Sequence, residues 1–184
     1  MKKEDLLRQY GNGQRDFRLT NLAQLDLQAV NLVEIDLSQA NLTEVNFTGA
    51  NLAKAIFYRA SIELGNFSQA DLTEANFKEA DLSQSLLYKA SLFKSQLQKA
   101  NLTQAIAIRA FLRDAELNQA VLRGANLQQA NLTNADLSET NLTDANLEAA
   151  FLVGANLLGA DLSGANLDRA ILTEAIMPDG SLFE

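Results

Sequence analysis

The sequence predicts an all-β solenoid, a rod built by stacking one short repeated unit, and three observations support this fold class. First, every position from 17 to 182 whose number ends in 2 or 7 belongs to one set of 34, and 26 of these positions are Leu. Second, Ala stands two residues before the central residue in 23 of the 34 units. Third, the other three positions are mostly polar or charged. A five-residue period fits neither a helix nor a simple strand, and so small a unit must stack to bury its apolar face.

Two residues of every unit are predicted to face the interior: the central residue and the residue two before it. Side chains two apart on extended backbone point to the same side, whereas the residue between them points away. The remaining positions, rich in Asn, Asp, Ser, Thr, Gln and Glu, suit the outside. A unit with two inward residues also needs a corner before the next unit begins. We therefore expect single coils to be unstable and stability to grow with each stacked neighbour.

From Ala125 the chain reads Ala-Asn-Leu-Gln-Gln, Ala-Asn-Leu-Thr-Asn, Ala-Asp-Leu-Ser-Glu. This pattern resembles the A(N/D)L-x-x repeat of the pentapeptide-repeat family, and the resemblance extends from about Arg15 to Met177. It implies a right-handed, four-sided parallel β-solenoid in which four units close one coil. We expect residues 15–177 to form this solenoid, with about 8 coils and a length of about 40 Å at a strand spacing of about 4.8 Å.

Residues 1–14 are predicted to form an N-terminal cap. Residues 3–10 are typical of a short helix, with Leu6, Leu7 and Tyr10 on one apolar face. A bare solenoid end invites edge-to-edge pairing, so this helix is expected to cover the open edge of the first coil.

Residues 178–184 are predicted to form a separate tail, because Pro178 lacks an N–H group and the following Asp-Gly pair favours a turn. The run Met-Pro-Asp-Gly-Ser is similar to the closing segment of cyanobacterial members of the family, among them a regulator of heterocyst differentiation. Leu182 and Phe183 either fold back as a cap or form a contact between two copies of the chain. A homodimer through this end is therefore one alternative.

Four of the five Phe residues at central positions lie between residues 47 and 77, and they are predicted to pack in the core. Residues 20 apart share a column, so the sequence predicts two Phe columns that face each other across the interior. Core packing is favoured over an aromatic ligand-binding box. The residues are Phe47, Phe57, Phe67 and Phe77.

Residues 86–113 depart most from the repeat, because apolar side chains occupy outward positions. Residues 20 apart stack on one side, so these side chains are expected to form a patch that spans two coils and one corner. An exposed apolar cluster interleaved with Lys and Arg suits a protein partner, although such substitutions are also tolerated when they pack against one another. We call this set the central patch: Leu86, Tyr88, Phe93, Ile106, Ile108, Phe111 and Arg113.

Ala107 occupies a central position that is otherwise Leu or another large residue. Two outcomes are open. The small side chain leaves a void beside Leu87 and Leu127, or a one-residue slip of the register swings Ile106 and Ile108 inward.

The chain offers little catalytic chemistry, since it has no His and no Cys. Ser–His and Cys–His pairs, thiol chemistry and disulfides are therefore absent. Acidic residues 20 apart are expected to form a solvated ladder, because a hard cation such as Ca²⁺ needs on the order of six oxygen ligands. Two such pairs are Asp16 with Asp36 and Glu116 with Asp136. We expect no enzyme, no cofactor and no metal site.

Charge is uneven along the chain. Residues 78–123 carry seven basic and four acidic side chains, whereas residues 124–184 carry one basic and nine acidic, and the formal net charge is −8. The sequence disfavours nucleic acid as a partner, because the basic segment is small and phosphate binding needs positive charge. The chain begins without the apolar run of a signal peptide and contains no apolar stretch of about 20 residues, so a cytoplasmic protein is expected.

The leading hypothesis is a non-enzymatic protein-interaction scaffold, with a regulatory role, that binds an unidentified protein through the central patch. The family resemblance implies an alternative, since some members mimic DNA and act on a type II topoisomerase such as DNA gyrase. The acidic C-terminal third favours this alternative. The basic middle disfavours it, as does the absence of the loop insertions found in topoisomerase-protecting members. Self-assembly as a structural protein is a third alternative.

Overall fold

The computed structural model describes all residues from Met1 to Glu184 and shows a chain wound into coils of 20 residues. Parallel bridges join residues 20 apart, from Asp16 with Asp36 at one end to Asn156 with Ile176 at the other. Each bridge is one residue long, because a turn follows every one, so the predicted β-structure consists of isolated bridges rather than strands of ordinary length. The one regular element is helix α1, Lys3–Gly11.

Hydrogen bonds tie each coil to both of its neighbours. The N–H of the central Leu132 donates to the Phe151 carbonyl one coil ahead, at 2.7 Å, and the N–H of Asn131 donates to the Ala110 carbonyl one coil behind, at 2.9 Å. The same pattern repeats along the chain. A coil on its own leaves these groups without partners, and that makes stability depend on stacking.

Nearly every corner is a β-turn closed by a hydrogen bond to the central carbonyl, as in Ala135 N–H to Leu132 O at 3.0 Å. The third residue of the turn is left-handed, and Asn134 there has φ +56°. In all, 27 non-glycine residues adopt a positive φ, a conformation that costs an L-residue about 1–2 kcal/mol. Gly adopts it without this cost, which explains the glycines at this position: Gly49, Gly124, Gly154, Gly159 and Gly164.

The interior is continuous and is filled by the central and preceding inward residues, as the period predicted. The predicted Phe columns are confirmed. Phe57 and Phe77 stack with ring centroids 4.6 Å apart, and Phe47 and Phe67 stack at 5.3 Å. The two columns meet edge to face at 5.9–6.3 Å, which is favoured for aromatic rings.

The register does not slip at Ala107. Its side chain is buried and its N–H donates to the Asn126 carbonyl at 2.8 Å, in the regular pattern. Ile106 stays outward and is 40% exposed, and Ile108 is half-buried. The alternative of a one-residue slip is therefore wrong, because losing the ladder bonds of one coil costs more than accommodating one small side chain.

The N-terminal segment packs on the first coil. Leu6 of α1 is fully buried, and Leu7 and Tyr10 pack against the core. Three carbonyls that face away from the rest of the rod receive donors from this segment. The bonds are Gln14 Nε2 to Asp16 O at 2.8 Å, the Met1 ammonium to Asn21 O at 2.9 Å and Tyr10 Oη to Val33 O at 2.9 Å.

The C-terminal tail folds back on the last coil in an antiparallel bridge between Ile176 and Leu182. Phe183 N–H donates to Ala175 O at 2.9 Å, and Glu174 N–H donates to Phe183 O at 2.8 Å. The tail leaves the rest of the last coil uncovered, and the inward residues there are therefore only half-buried. These are Leu162, Ala165, Leu167 and Ala170. None of the helical structure reaches the length and apolar character that crossing a bilayer requires.

Candidate protein-interaction surface

The structure places the seven residues of the central patch on two adjoining sides of the rod. Leu86 and Ile106 form a parallel bridge, and Tyr88 and Ile108 follow them in the next outward column of the same side. The other three residues lie on the side that follows the next corner. They are Phe93, Phe111 and Arg113. Phe111 is the most exposed apolar member, at 52%.

The outward residue before each centre has a structural role that the sequence pattern did not reveal. In the regular units it is Asn or Asp, and its Oδ1 accepts the N–H two residues on, as in Thr133 N–H to Asn131 Oδ1 at 3.1 Å. This side-chain bond supplies an acceptor for a turn N–H that has no backbone partner. Leu86, Ile106 and Phe111 occupy this position and have no oxygen to offer. The patch therefore lacks three of these side-chain hydrogen bonds to a turn N–H, and it exposes apolar surface in their place.

Lysine side chains cover the aromatic rings of the patch. Lys89 Nζ lies 5.2 Å from the Tyr88 ring centroid, and Lys94 Nζ lies 5.1 Å from that of Phe93, within the range of cation–π attraction. A hydrogen bond from Lys89 lowers the pKa of the Tyr88 phenol below its usual value, and the positive charges of Lys89 and Arg109 act in the same direction. The patch thus combines apolar side chains with a positive local field.

A further aromatic residue, Phe151, extends the patch along the side of the rod that carries Phe111. Phe111, Asn131, Phe151 and Ile171 form one outward column, with bridges between successive members. Phe111 and Phe151 flank a groove of about 520 Å³, and Phe151 is 43% exposed. The remaining lining residues are Arg109, Ala110, Gln129, Asn131 and Ala149. Sequence reasoning missed Phe151 because it stopped at residue 113, although the 40-residue spacing of the two Phe residues was a visible signal.

The acidic ladder pairs are bridged as expected, and hydrogen-bond donors of the protein contact them. Arg18 donates to both oxygens of Asp16, at 2.9 and 2.6 Å, and its Nε lies 3.7 Å from Asp36. These bonds lower the pKa of Asp16 from 3.8 to about 2, rather than raising it as a neighbouring carboxylate alone would. Asp136 accepts bonds from the Ser138 N–H and Asn156 Nδ2, both at 3.1 Å.

The family scan and the structure comparisons agree with this architecture. The model of pentapeptide repeats matches in 8 copies over residues 16–63, 66–104, 95–134 and 140–177. A search of curated proteins finds no match. The chain is 33% identical to HetL, a pentapeptide repeat protein involved in heterocyst differentiation regulation from Nostoc sp. strain PCC 7120, with full coverage of both chains and a TM-score of 0.49. A trypsin-treated form of QnrB1, a plasmid-mediated fluoroquinolone resistance protein, is 22% identical with 86% of each chain covered and a TM-score of 0.60.

The protein is a right-handed, four-sided β-helix, and the solenoid places its variable residues on the outside. The chain belongs to the pentapeptide repeat family.

Proposed function

We propose that the protein is a non-enzymatic interaction scaffold, with a regulatory role, that binds a protein partner through the central patch. One observation carries the proposal: Leu86, Ile106 and Phe111 stand where regular units have an Asn or Asp that accepts a turn N–H, and they place apolar surface there instead. Pentapeptide repeat proteins in general are structural or interaction proteins, and this supports the class.

The energetics favour a functional origin for these substitutions. A typical intramolecular hydrogen bond contributes about 0.5–1.5 kcal/mol, so three missing turn bonds cost the free protein a few kcal/mol in all. Exposed side chains such as Phe111, at 52% exposure, recover little of this by packing. A partner that covers the patch gains the apolar burial and can satisfy the free turn N–H groups.

Affinity capture from the source cell tests the proposal. Tyr88→Ser and Phe111→Ser are expected to lose a partner that the unchanged protein retains. Tyr58→Ser is the matched control, because Tyr58 occupies the same repeat position on another side and lies beneath Arg59 as Tyr88 lies beneath Lys89. Unchanged recovery with both patch variants would remove the central patch from consideration.

The open C-terminal end favours a second candidate function, self-assembly through this end. The N–H groups of Leu162, Leu167 and Leu172 face the missing next coil without a hydrogen-bond acceptor, and Leu182 and Phe183 stay exposed beside them. Two such ends can pair about a twofold axis. Sedimentation equilibrium is expected to show a dimer that Leu182→Ser with Phe183→Ser dissociates, and a monomer at high concentration excludes it.

The ends complete the proposed scaffold. We propose a rod of about eight coils, with α1 as the cap of the first coil and the tail of residues 178–184 as a partial cap of the last. The three hydrogen bonds from the N-terminal segment and the folded-back tail support this arrangement.

The DNA-mimic alternative draws on the acidic residues of 124–184. Bridges continue in steps of five residues with no loop insertion between them, and the basic central segment interrupts the acidic surface. A gyrase supercoiling assay that shows neither inhibition nor protection from a quinolone eliminates this alternative.

A further inference from the structure

We propose that the groove between Phe111 and Phe151, the aromatic slot, binds one aromatic side chain from a partner segment in which an acidic residue lies beside it. This inference rests on the proposed scaffold function and names the chemistry of its partner.

The spacing of the coils leaves room for one aromatic ring between Phe111 and Phe151. Successive coils lie about 4.8 Å apart, so two rings on the same column two coils apart are separated by about 9.6 Å. Inside the rod, Phe57 and Phe77 are one coil apart and stack with centroids 4.6 Å apart. A third ring at the level of Asn131 would therefore lie at stacking distance from Phe111 and from Phe151 at once.

The side chain between the two rings leaves this space open. Asn131 is smaller than Phe, and its Oδ1 is held by the Thr133 N–H at 3.1 Å. Ala149 lines the slot with its methyl group, and Ala110 lines it while its own side chain faces the interior. The slot thus has two aromatic walls and a shallow floor.

Charge orients the occupant. Arg109 lies at one rim, and its Nε donates to Gln129 Oε1 at 2.7 Å, which fixes the guanidinium beside the slot. Lys89 stacks with Arg109 one coil away, so this rim is basic. Glu148, which directly precedes Ala149 of the lining, lies toward the Phe151 end of the slot and accepts a bond from Gln128 Nε2 at 2.8 Å. A carboxylate next to the partner's aromatic residue is therefore attracted to the Arg109 end.

Single-stranded nucleic acid also stacks bases on aromatic rings, but its backbone needs a positive track. Residues 124–184, which supply one wall of the slot, carry nine acidic and one basic side chain. The charge balance favours a peptide.

The full-length protein is titrated against the blocked peptide acetyl-Gly-Asp-Asp-Trp-Gly-amide. The chain has no Trp, so indole fluorescence and the NMR signal of the indole N–H report on the peptide alone. We expect saturable binding with an upfield shift of the indole protons, because two Phe rings enclose them. Phe151→Ser is expected to weaken binding at least fivefold, whereas Ile171→Ser, in the same column outside the slot, leaves it unchanged. No binding by the unchanged protein, or equal binding by Phe151→Ser, overturns the proposal.

Asn131→Phe gives the sharpest test. Phe already occupies this repeat position in the coils before and after it, so the variant is expected to fold, and melting with circular dichroism checks this. The added ring fills the slot and should abolish peptide binding, although it adds apolar surface. Stronger binding by Asn131→Phe would mean a non-specific apolar patch and would overturn the proposal.

Two further arms separate the alternatives. Arg109→Gln, or a peptide with Asn in place of both Asp residues, is expected to weaken binding severalfold, and an unchanged affinity contradicts the role of charge. Oligothymidylate that binds more tightly than the peptide would overturn the choice of partner. In the affinity-capture experiment, Tyr88→Ser could abolish recovery of the partner while Asn131→Phe leaves it unchanged. That result would overturn the aromatic slot as the binding site and leave the proposed scaffold function standing.

Discussion

At the scale of single residues, position within the five-residue unit decides what a side chain does. Leu132 is fully buried at a centre, whereas Gln129 is an exposed turn residue three positions earlier. Leu132→Ala removes buried methyl groups and leaves a cavity, so we expect a loss of about 2–5 kcal/mol in the free energy of unfolding. Gln129→Ala should change it by about 0.5 kcal/mol or less. Urea denaturation measures both, and comparable losses would contradict the inward assignment.

Two buried serines are expected to change the free energy of unfolding in opposite directions when each is replaced by Ala. Ser95 Oγ donates to the Leu92 carbonyl at 2.8 Å, whereas Ser85 Oγ has no hydrogen-bond partner. Ser95→Ala is expected to lower the free energy of unfolding by about 0.5–1.5 kcal/mol, and Ser85→Ala to raise it by about 1 kcal/mol, because an unpaired buried hydroxyl is a net cost. Thermal and urea denaturation of the two variants check the signs, and a loss of stability in Ser85→Ala would show that its hydroxyl is bonded.

Asp16 makes stability depend on pH in the acid range. Its hydrogen bonds with Arg18 lower its pKa from 3.8 to about 2 in the folded protein. The contribution of a carboxylate with a lowered pKa is present above the unfolded value and is lost as the pH falls from about 4 through about 2. Arg18→Gln should move the NMR titration midpoint of the Asp16 carboxyl up toward 3.8, and Arg8→Gln, on α1, should not. A midpoint that stays near 2 in Arg18→Gln contradicts this cause.

The sequence predicted which residues point inward, but it did not predict the turn. The Leu and Ala positions carried the inward assignment because apolar burial follows the period directly. The left-handed residue in each corner was hidden, since Gln, Glu, Lys and Arg occupy it far more often than Gly. The preference for Asn and Asp before the centre was visible, but its cause is a hydrogen bond that needs coordinates.

At the scale of elements, α1 packs on the first coil, and Tyr10 together with residues on either side of the helix donates hydrogen bonds to carbonyls of that coil. The sequence predicted a helix over residues 3–10, and the structure has Lys3–Gly11. The bonds to the carbonyls of Asp16, Asn21 and Val33 could not be predicted, because they come from a turn residue, the N-terminus and a Tyr hydroxyl rather than from the helix pattern.

Leu6 holds this element in place, since it is the fully buried residue of α1. Leu6→Ala is expected to destabilise the protein by about 2–5 kcal/mol and to free the first-coil edge for pairing with other chains. Sedimentation velocity over a range of concentrations should then show larger species. Arg8→Ala, an exposed change in the same helix, is the control, and association in both variants or in neither would contradict the capping role.

At the scale of the whole molecule, the rod separates the residues that stabilise it from the residues that form its surface. Inward residues repeat with little variation, and outward residues differ from coil to coil without breaking the ladder. This is why the residues of the central patch could be placed on the outside from the sequence, whereas Phe151 was missed. That the patch binds a partner stays a prediction. The patch was found from neighbouring irregular units, whereas the slot depends on two residues 40 apart that meet only when coils stack.

Hydroxyl-radical footprinting of the free protein tests most directly whether the repeat separates interior from surface. Oxidation of each Phe is followed by mass spectrometry, and the rate reports the accessibility of the side chain. Phe111 and Phe151, at 52% and 43% exposure, are expected to oxidise many times faster than Phe57 and Phe77, which are fully buried. Equal rates for the four residues, or faster oxidation of Phe57 and Phe77, would contradict both the solenoid interior and the surface that it presents.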